Sequence, residues 1–307
     1  MTQSWRKLGL LYAPQGGQRH PKLLTHAANP LPVLLEGDVY RVFFSGRDAV
    51  NRSSVGAVDI DLVKRRVVRE HHAPFFEHGP EGSFYADGVS IGNCYDTPSG
   101  RYMLFMGWQN PPHAHWRGEV GRLRVGADLG LSLDGSGPFM PLDAVDAVSL
   151  SYPWVMRDDA GAGYTMWYGS TLDWDAGNGE MVHVINGASS TDGNHWQKTG
   201  LAVPFAVGTA QAFSRPTVLR DAAGWRMWFS YRSGAGETYR IGHATSADGR
   251  TWQLRLENAG IDVSNEGWDS EMIEYPFVLA HGGECYMLYN GNGYGQSGFG
   301  LAVLSDG

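Results

Sequence analysis

The chain has 307 residues, 42% of them hydrophobic and 18% charged, which is ample for a globular core and too few charges for a disordered protein. A formal charge of -8, with no basic run longer than Lys64-Arg65-Arg66, argues against a nucleic-acid partner. Cys94 and Cys285 offer neither a zinc-ligand spacing nor a disulfide framework, and no apolar stretch has the length of a signal peptide or a membrane span, so the chain reads as cytoplasmic with no membrane partner.

Taken in order, the chain repeats one unit. SWRKLG at the N-terminus (Ser4 to Gly9) matches HWQKTG at His195 to Gly200. NPLPVLL from Asn29 precedes YRVFFSGR from Tyr40, and ADGVSI from Ala86 precedes YMLFMGW from Tyr102. SYPWVM from Ser151 precedes YTMWYGS from Tyr164, SRPTVL from Ser214 precedes WRMWFSYR from Trp225, and EYPFVL from Glu274 precedes YMLYNGN from Tyr286. The second segments start 62, 62, 61 and 61 residues apart, so five periods fill residues 1–307 as a single domain.

Each second segment alternates large apolar residues with a period near two, the pattern of a half-buried strand. The position three after each start is aromatic throughout (Phe43, Phe105, Trp167, Trp228, Tyr289), as packing between neighbouring units requires. The proline-marked runs read as innermost strands that begin at a proline. Asp-Gly pairs at Asp134, Asp192 and Asp248 read as two-residue hairpins joining third and fourth strands. The expected fold is therefore all-β: a five-bladed β-propeller of four-stranded antiparallel blades. The chain stops at Asp306-Gly307, where a further strand is due, and the N-terminal strand is expected to complete the last blade and close the ring.

Propellers bind ligands where inner strands converge, and the residues at those strand starts and at the ends of the second strands are strongly polar. They are His26, Asn29, Arg47 and Asp48 in blade one, Asp87 and Trp108 in blade two, and Tyr152 and Ser170 in blade three. Arg215 and Arg232 follow in blade four, and Asp269, Glu271, Glu274 and Asn292 in blade five. Arg47 and Asp48 suit either a surface ion-pair loop, with Asn51 and Arg52, or a fork to a carboxylate, phosphate or vicinal diol. Asp87 stands where other blades have Ser-Tyr-Pro, Ser-Arg-Pro or Glu-Tyr-Pro, which points its carboxylate to the pit. In an extended strand Asp269 and Glu271 share a face while Glu274 takes the other. Paired carboxylates suit glycosidic-bond chemistry, one donating a proton and the other activating water or attacking. Trp108, Trp116, Trp154 and Trp174, outside the core aromatic position, are candidates to stack on a sugar face. No metal-ligand spacing is present, and no cofactor is called for.

The G-x-Y-x-M-x-Y strand followed by the S-x-D-G-x-x-W turn resembles the five-bladed propellers of glycoside hydrolase families 32, 43, 62, 68 and 130. FYADGVSI, MLFMGW, SRPTV, YRIGHATSADGRTW and GWDSEMIEYPFV with YMLYNGNGYGQSGFGLAVL more closely resemble a bacterial group of glycosidase-like proteins found beside sugar-biosynthesis genes. The resemblance spans all five repeats. It implies a small-molecule carbohydrate substrate, with Asp87 as base or pKa modulator and Glu271 or Glu274 as general acid. The first-blade inner strand, where such hydrolases carry an Asp, reads HAANPLPV here. Three readings follow: acid/base chemistry on a small sugar, glycoside or sugar-nucleotide intermediate by hydrolysis, phosphorolysis or transfer, with Arg47, Arg215 and Arg232 as clamps; a binder without turnover; or biosynthetic acid/base chemistry on a non-sugar substrate.

Overall fold

The computed structural model describes residues 4–14, 19–158, 163–221, 224–234 and 236–305; Asp306 and Gly307 lie outside them. Among the described residues, twenty strands form five four-stranded units. Strand β1 (Ser4–Tyr12) comes first. Blade one is β2 (Thr25–Glu36), β3 (Val39–Arg47), β4 (Ser53–Asp61) and β5 (Arg66–Glu70). Blade two is β6 (Gly88–Thr97), β7 (Gly100–Gln109), β8 (Arg117–Val125) and β9 (Leu131–Leu133). Blade three is β10 (Ser149–Arg157), β11 (Tyr164–Asp173), β12 (Val182–Ser190) and β13 (Gln197–Leu201). Blade four is β14 (Ala212–Asp221), β15 (Gly224–Arg232), β16 (Arg240–Ser246) and β17 (Trp252–Leu254). Blade five is β18 (Glu274–His281), β19 (Glu284–Asn290), β20 (Phe299–Ser305) and, outermost, β1.

The innermost strands β2, β6, β10, β14 and β18 touch one another in cyclic order, β18 returning to β2. That closed circuit is a propeller, and β1 pairs antiparallel with β20, Trp5 opposite Leu304. No helix among the described residues is long and apolar enough to cross a membrane. The five repeated aromatics are fully buried. Trp167 packs on Trp225 and Trp252 of the next blade, and Trp228 meets Trp5 edge-on with centroids 5.5 Å apart. These contacts lock blade to blade, as large flat side chains between twisted sheets do.

Two local expectations are corrected. The prolines of the inner strands do not begin them. Pro30, Pro153, Pro216 and Pro276 sit at register shifts within β2, β10, β14 and β18. The preceding residues, Asn29, Tyr152, Arg215 and Tyr275, have φ of 57, 32, 47 and 52°. A bulge tolerates a residue with no N–H to give the ladder, and it re-aims the side chains beside it. The Asp-Gly pairs are not two-residue hairpins either. Six residues separate Ser190 from Gln197, and the Asp192 carboxylate accepts the backbone N–H groups of Asn194 and His195. Asp248 does the same with Arg250 and Thr251, while Asp134 lies beyond β9 and pairs with Arg122 and Arg124. The carboxylate itself closes the turn, an Asx arrangement that needs positive φ only at the glycine.

Asp269 seals the ring closure. Its buried carboxylate receives Lys7 Nζ of β1 at 2.7 Å and the Tyr289 hydroxyl at 3.0 Å. Lys7→Met is expected to lower stability by about 2 kcal/mol, because it strands a buried carboxylate beside a partly exposed partner. A shift of the denaturation midpoint checks this; an unchanged midpoint would mean that the strand pairing alone holds the closure.

Candidate functional site

The inner-strand bulges converge on the axis. Arg215, 2% exposed, fills it. Its guanidinium donates to the carbonyls of Pro30 at 2.9 Å, Tyr275 at 2.9 Å and Pro276 at 3.1 Å, and points more weakly at Ile91 and Gly92. Three blades are tied to a fourth by one side chain, so Arg215 is a plug beneath the pit and not a clamp on its wall.

Above the plug lies a cavity of about 450 Å³, within the range typical of small-molecule sites. Arg47, Trp108, Tyr152 and Arg232, all expected at the site, line it. Arg47 and Arg232 each lie seven residues after the start of their repeat segment, at equivalent positions of blades one and four. Arg232 pairs with Glu180 at 3.0 Å and lies over the Tyr239 ring. No carboxylate pairs with Arg47 among the described residues. Trp108 donates its indole N–H to Ser53, the cross-strand partner of Arg47, and Trp116 meets Trp174 edge-on at 4.9 Å. Trp154 packs instead on Phe277.

Glu274 is the most deeply buried of the expected acids. It is 0% exposed, and neither carboxylate oxygen has a hydrogen-bond partner among the described residues. Burial pushes its pKa well above the usual carboxylate range, and the charges of Arg232 and Arg47 only partly offset this. The Tyr275 hydroxyl is near enough to act on the carboxyl but does not meet hydrogen-bond geometry. Arg47, Tyr152, Arg232, Tyr239 and Tyr275, which line the cavity, are also the groups coupled to this acid. Glu274 thus stands directly behind the wall, with burial favouring its protonated form.

The other expected site residues lie elsewhere. Asp87 is half-buried and accepts the Asn110 N–H at 2.7 Å, one residue behind the cavity lining. Register explains the offset: Val89 faces Gly107 as Ser151 faces Gly169, so Val89, not Asp87, occupies the Ser151 position. Glu271 is exposed, and its backbone, not its side chain, is engaged by Asn292, Thr238 and Arg240. Asn292 braces that loop through Met272 and Gly267 as well. Asp48 closes its own loop. Burial works to raise its pKa, but hydrogen bonds from Arg52 and Val50 outweigh this and hold the carboxyl below its ordinary value. His26, held neutral at a pKa of about 4 by burial and by Arg47, lies off the cavity wall. Ser170 and Asn29 are buried, the first giving its hydroxyl to Asp146 and the second its backbone N–H to the side-chain oxygen of Asn290.

Sequence reasoning missed His183 and Ser151. Both line the cavity, with Ser151 Oγ 2.6 Å from Nε2 and Thr171 Oγ1 2.7 Å from Nδ1. A histidine inside the apolar run MVHVI was the available signal. Burial pushes His183 down to about 3 from 6.5, so it is a neutral bridge between two hydroxyls. A depressed folded pKa gives stability that is complete above about pH 6.5 and is lost as the pH falls toward about 3. His183→Asn is therefore expected to flatten part of the fall of the urea midpoint between pH 6.5 and 4, leaving the slope contributed by His26 and His243. An identical slope would show that His183 does not carry the effect. Among the described residues, no three His, Cys, Asp or Glu side chains form a metal-holding group.

No family model matches the chain. Over 305 residues, 99% of this chain and the full length of each relative, it is 43% identical to two Mycobacterium tuberculosis proteins, uncharacterized protein MT1551 and uncharacterized protein Rv1502. Among solved structures, a glycoside hydrolase superposes with a TM-score of 0.73 at 14% identity, covering 98% of this chain and 91% of its own. A structure from the GH130 family of mannoside phosphorylases, which contains hydrolases of β-1,2-mannosidic linkages, gives 0.68 at 12% identity over 99% and 94%. A Bacteroides ovatus glycosyl hydrolase gives 0.69 at 11% identity over 95% and 90%. The chain belongs to the family of the M. tuberculosis proteins Rv1502 and MT1551, and it is built on the propeller fold of these glycoside hydrolases.

Proposed function

We propose that the protein is a carbohydrate-active enzyme in which Glu274 is the general acid, acting on a small sugar, glycoside or sugar-nucleotide intermediate. The observation that carries this reading is Glu274 itself. A fully buried carboxyl with no hydrogen-bond partner among the described residues, its pKa raised by burial and ringed by cavity-lining Arg and Tyr, is costly as structure and suited to proton donation. The raised pKa favours retention of the proton that a departing glycosidic oxygen needs. Trp108 and Trp116 offer flat faces to a sugar ring. The glycosidase-type fold of the neighbours supports the substrate class.

A binder without turnover is the second reading, favoured by one observation: no Asp or Glu side chain is part of the cavity wall among the described residues. Where the acceptor is water, Asp87 behind Asn110 is the nearest expected base; where it is phosphate, already anionic, a single acid suffices. Isothermal titration against sugars, glycosyl phosphates and sugar nucleotides, with and without inorganic phosphate, followed by mass spectrometry, separates the readings. A mass change establishes an enzyme, and saturable binding without any mass change establishes a binder.

A further inference from the structure

We infer that the ligand of this pit is an acidic sugar: a ring whose apolar face lies against Trp108 and Trp116 and whose own carboxylate or phosphate is held by Arg47. The inference rests on the carbohydrate reading of the pit and narrows it to one charge class.

The cavity wall carries two guanidiniums and no carboxylate among the described residues. Arg232 is neutralised by Glu180 at 3.0 Å, whereas Arg47 has no ion-pair partner among the described residues. Glu274, which feels both guanidiniums, is fully buried, so serving as their counter-ion would place a desolvated charge behind the wall. A chain of formal charge -8 thus keeps one uncompensated positive charge where its inner strands converge. Hydrogen-bonding groups line the same cavity, Asn51, Tyr239 and Tyr294 among them, with no competing anion on the wall among the described residues. The planar fork of Arg47 matches an oxyanion held by two nitrogens. Next to Arg47 the wall turns aromatic, with Trp108 bonded to Ser53, the cross-strand partner of Arg47, and Trp116 braced by Trp174, itself stacked on His115 at 4.6 Å. A ligand that satisfies both the guanidinium and the rings carries a flat apolar face and an oxyanion on one small frame. A neutral sugar leaves Arg47 unpaired, and a free anion leaves the tryptophans unused.

The test is binding to the full chain carrying Glu274→Gln, so that turnover does not enter. Glucuronic acid, glucose 1-phosphate, glucose and inorganic phosphate are titrated separately by calorimetry, and then repeated with Arg47→Gln and Arg47→Lys added. At least one of the two acidic sugars is expected to bind at least tenfold more tightly than both glucose and inorganic phosphate, in line with a charge-assisted contact. Which one does so identifies the anion as carboxylate or phosphate. Arg47→Gln is expected to abolish the preference, and Arg47→Lys to restore part of it, with thermal melts confirming that each variant is folded. Glucose binding as tightly as either acid, phosphate binding as tightly as either acid, a preference that survives Arg47→Gln, or no binding of either acid would each overturn the inference. Acidic-sugar binding together with no turnover by the wild-type protein would remove the enzymatic reading and leave this one standing.

Discussion

Replacing Glu274 with Gln is expected to reduce turnover by about 10²–10⁴-fold, the usual contribution of a positioned general acid, while the protein stays folded. Gln keeps the size and hydrogen-bonding capacity of a neutral carboxylic acid and lacks only the transferable proton. The wild-type rate should fall as the pH rises through the raised pKa of Glu274. The groups that face it are Arg232 and Arg47, which favour its ionisation, and Tyr152, Tyr239 and Tyr275, which are themselves held neutral by burial. Stability has its own sign. A carboxyl whose folded pKa lies above its unfolded value of about 4.3 contributes fully below that value, and the contribution is lost as the pH rises through the folded pKa. The melting temperature of Glu274→Gln should therefore gain on the wild type as the pH rises. A variant with undiminished turnover would remove Glu274 from the mechanism.

Arg215→Met is expected to cost about 3–5 kcal/mol of stability, one of the largest effects of any single substitution here. Several inner-strand carbonyls from different blades receive one guanidinium, and Met leaves them buried without a donor. Arg215→Lys keeps the charge but not the fork, so it should fall between wild type and Met. The denaturant midpoint reads both. Equal stability of Met and wild type would show that water or neighbouring donors replace the plug.

The fold was legible because it is periodic: five aromatic-centred strands, a matching N-terminal segment and proline-marked inner strands all reflect side-chain alternation, which sequence displays directly. The site was legible only in part, because bulges set it. Glu274, Tyr152, Arg47 and Arg232 could be placed by counting from repeat starts. Asp87 could not, because blade two has no proline and its bulge falls later, between Ile91 and Cys94. A register difference of two residues moved its carboxylate off the wall. Asp269 and Arg215 look functional by type, but partners more than a hundred residues away, Lys7 and the carbonyls of Ile91 and Pro30, turn them into structure. Ser151 and His183 escaped notice for the converse reason: their bond joins two strands that carry no shared motif.

The pairing of Trp5 with Leu304 also sets an order of events in folding. Blades one to four are each made from one continuous stretch of chain and can form as local hairpins, whereas blade five requires contact between segments some 300 residues apart. Closing a loop of that length in an unstructured chain costs about 5 kcal/mol beyond a constant. Prior folding of the four local blades shortens the effective gap, so docking of β1 is the late, slow step. Until then β20 is an open sheet edge, and the interval before closure is when this protein is most exposed to pairing with another copy of itself.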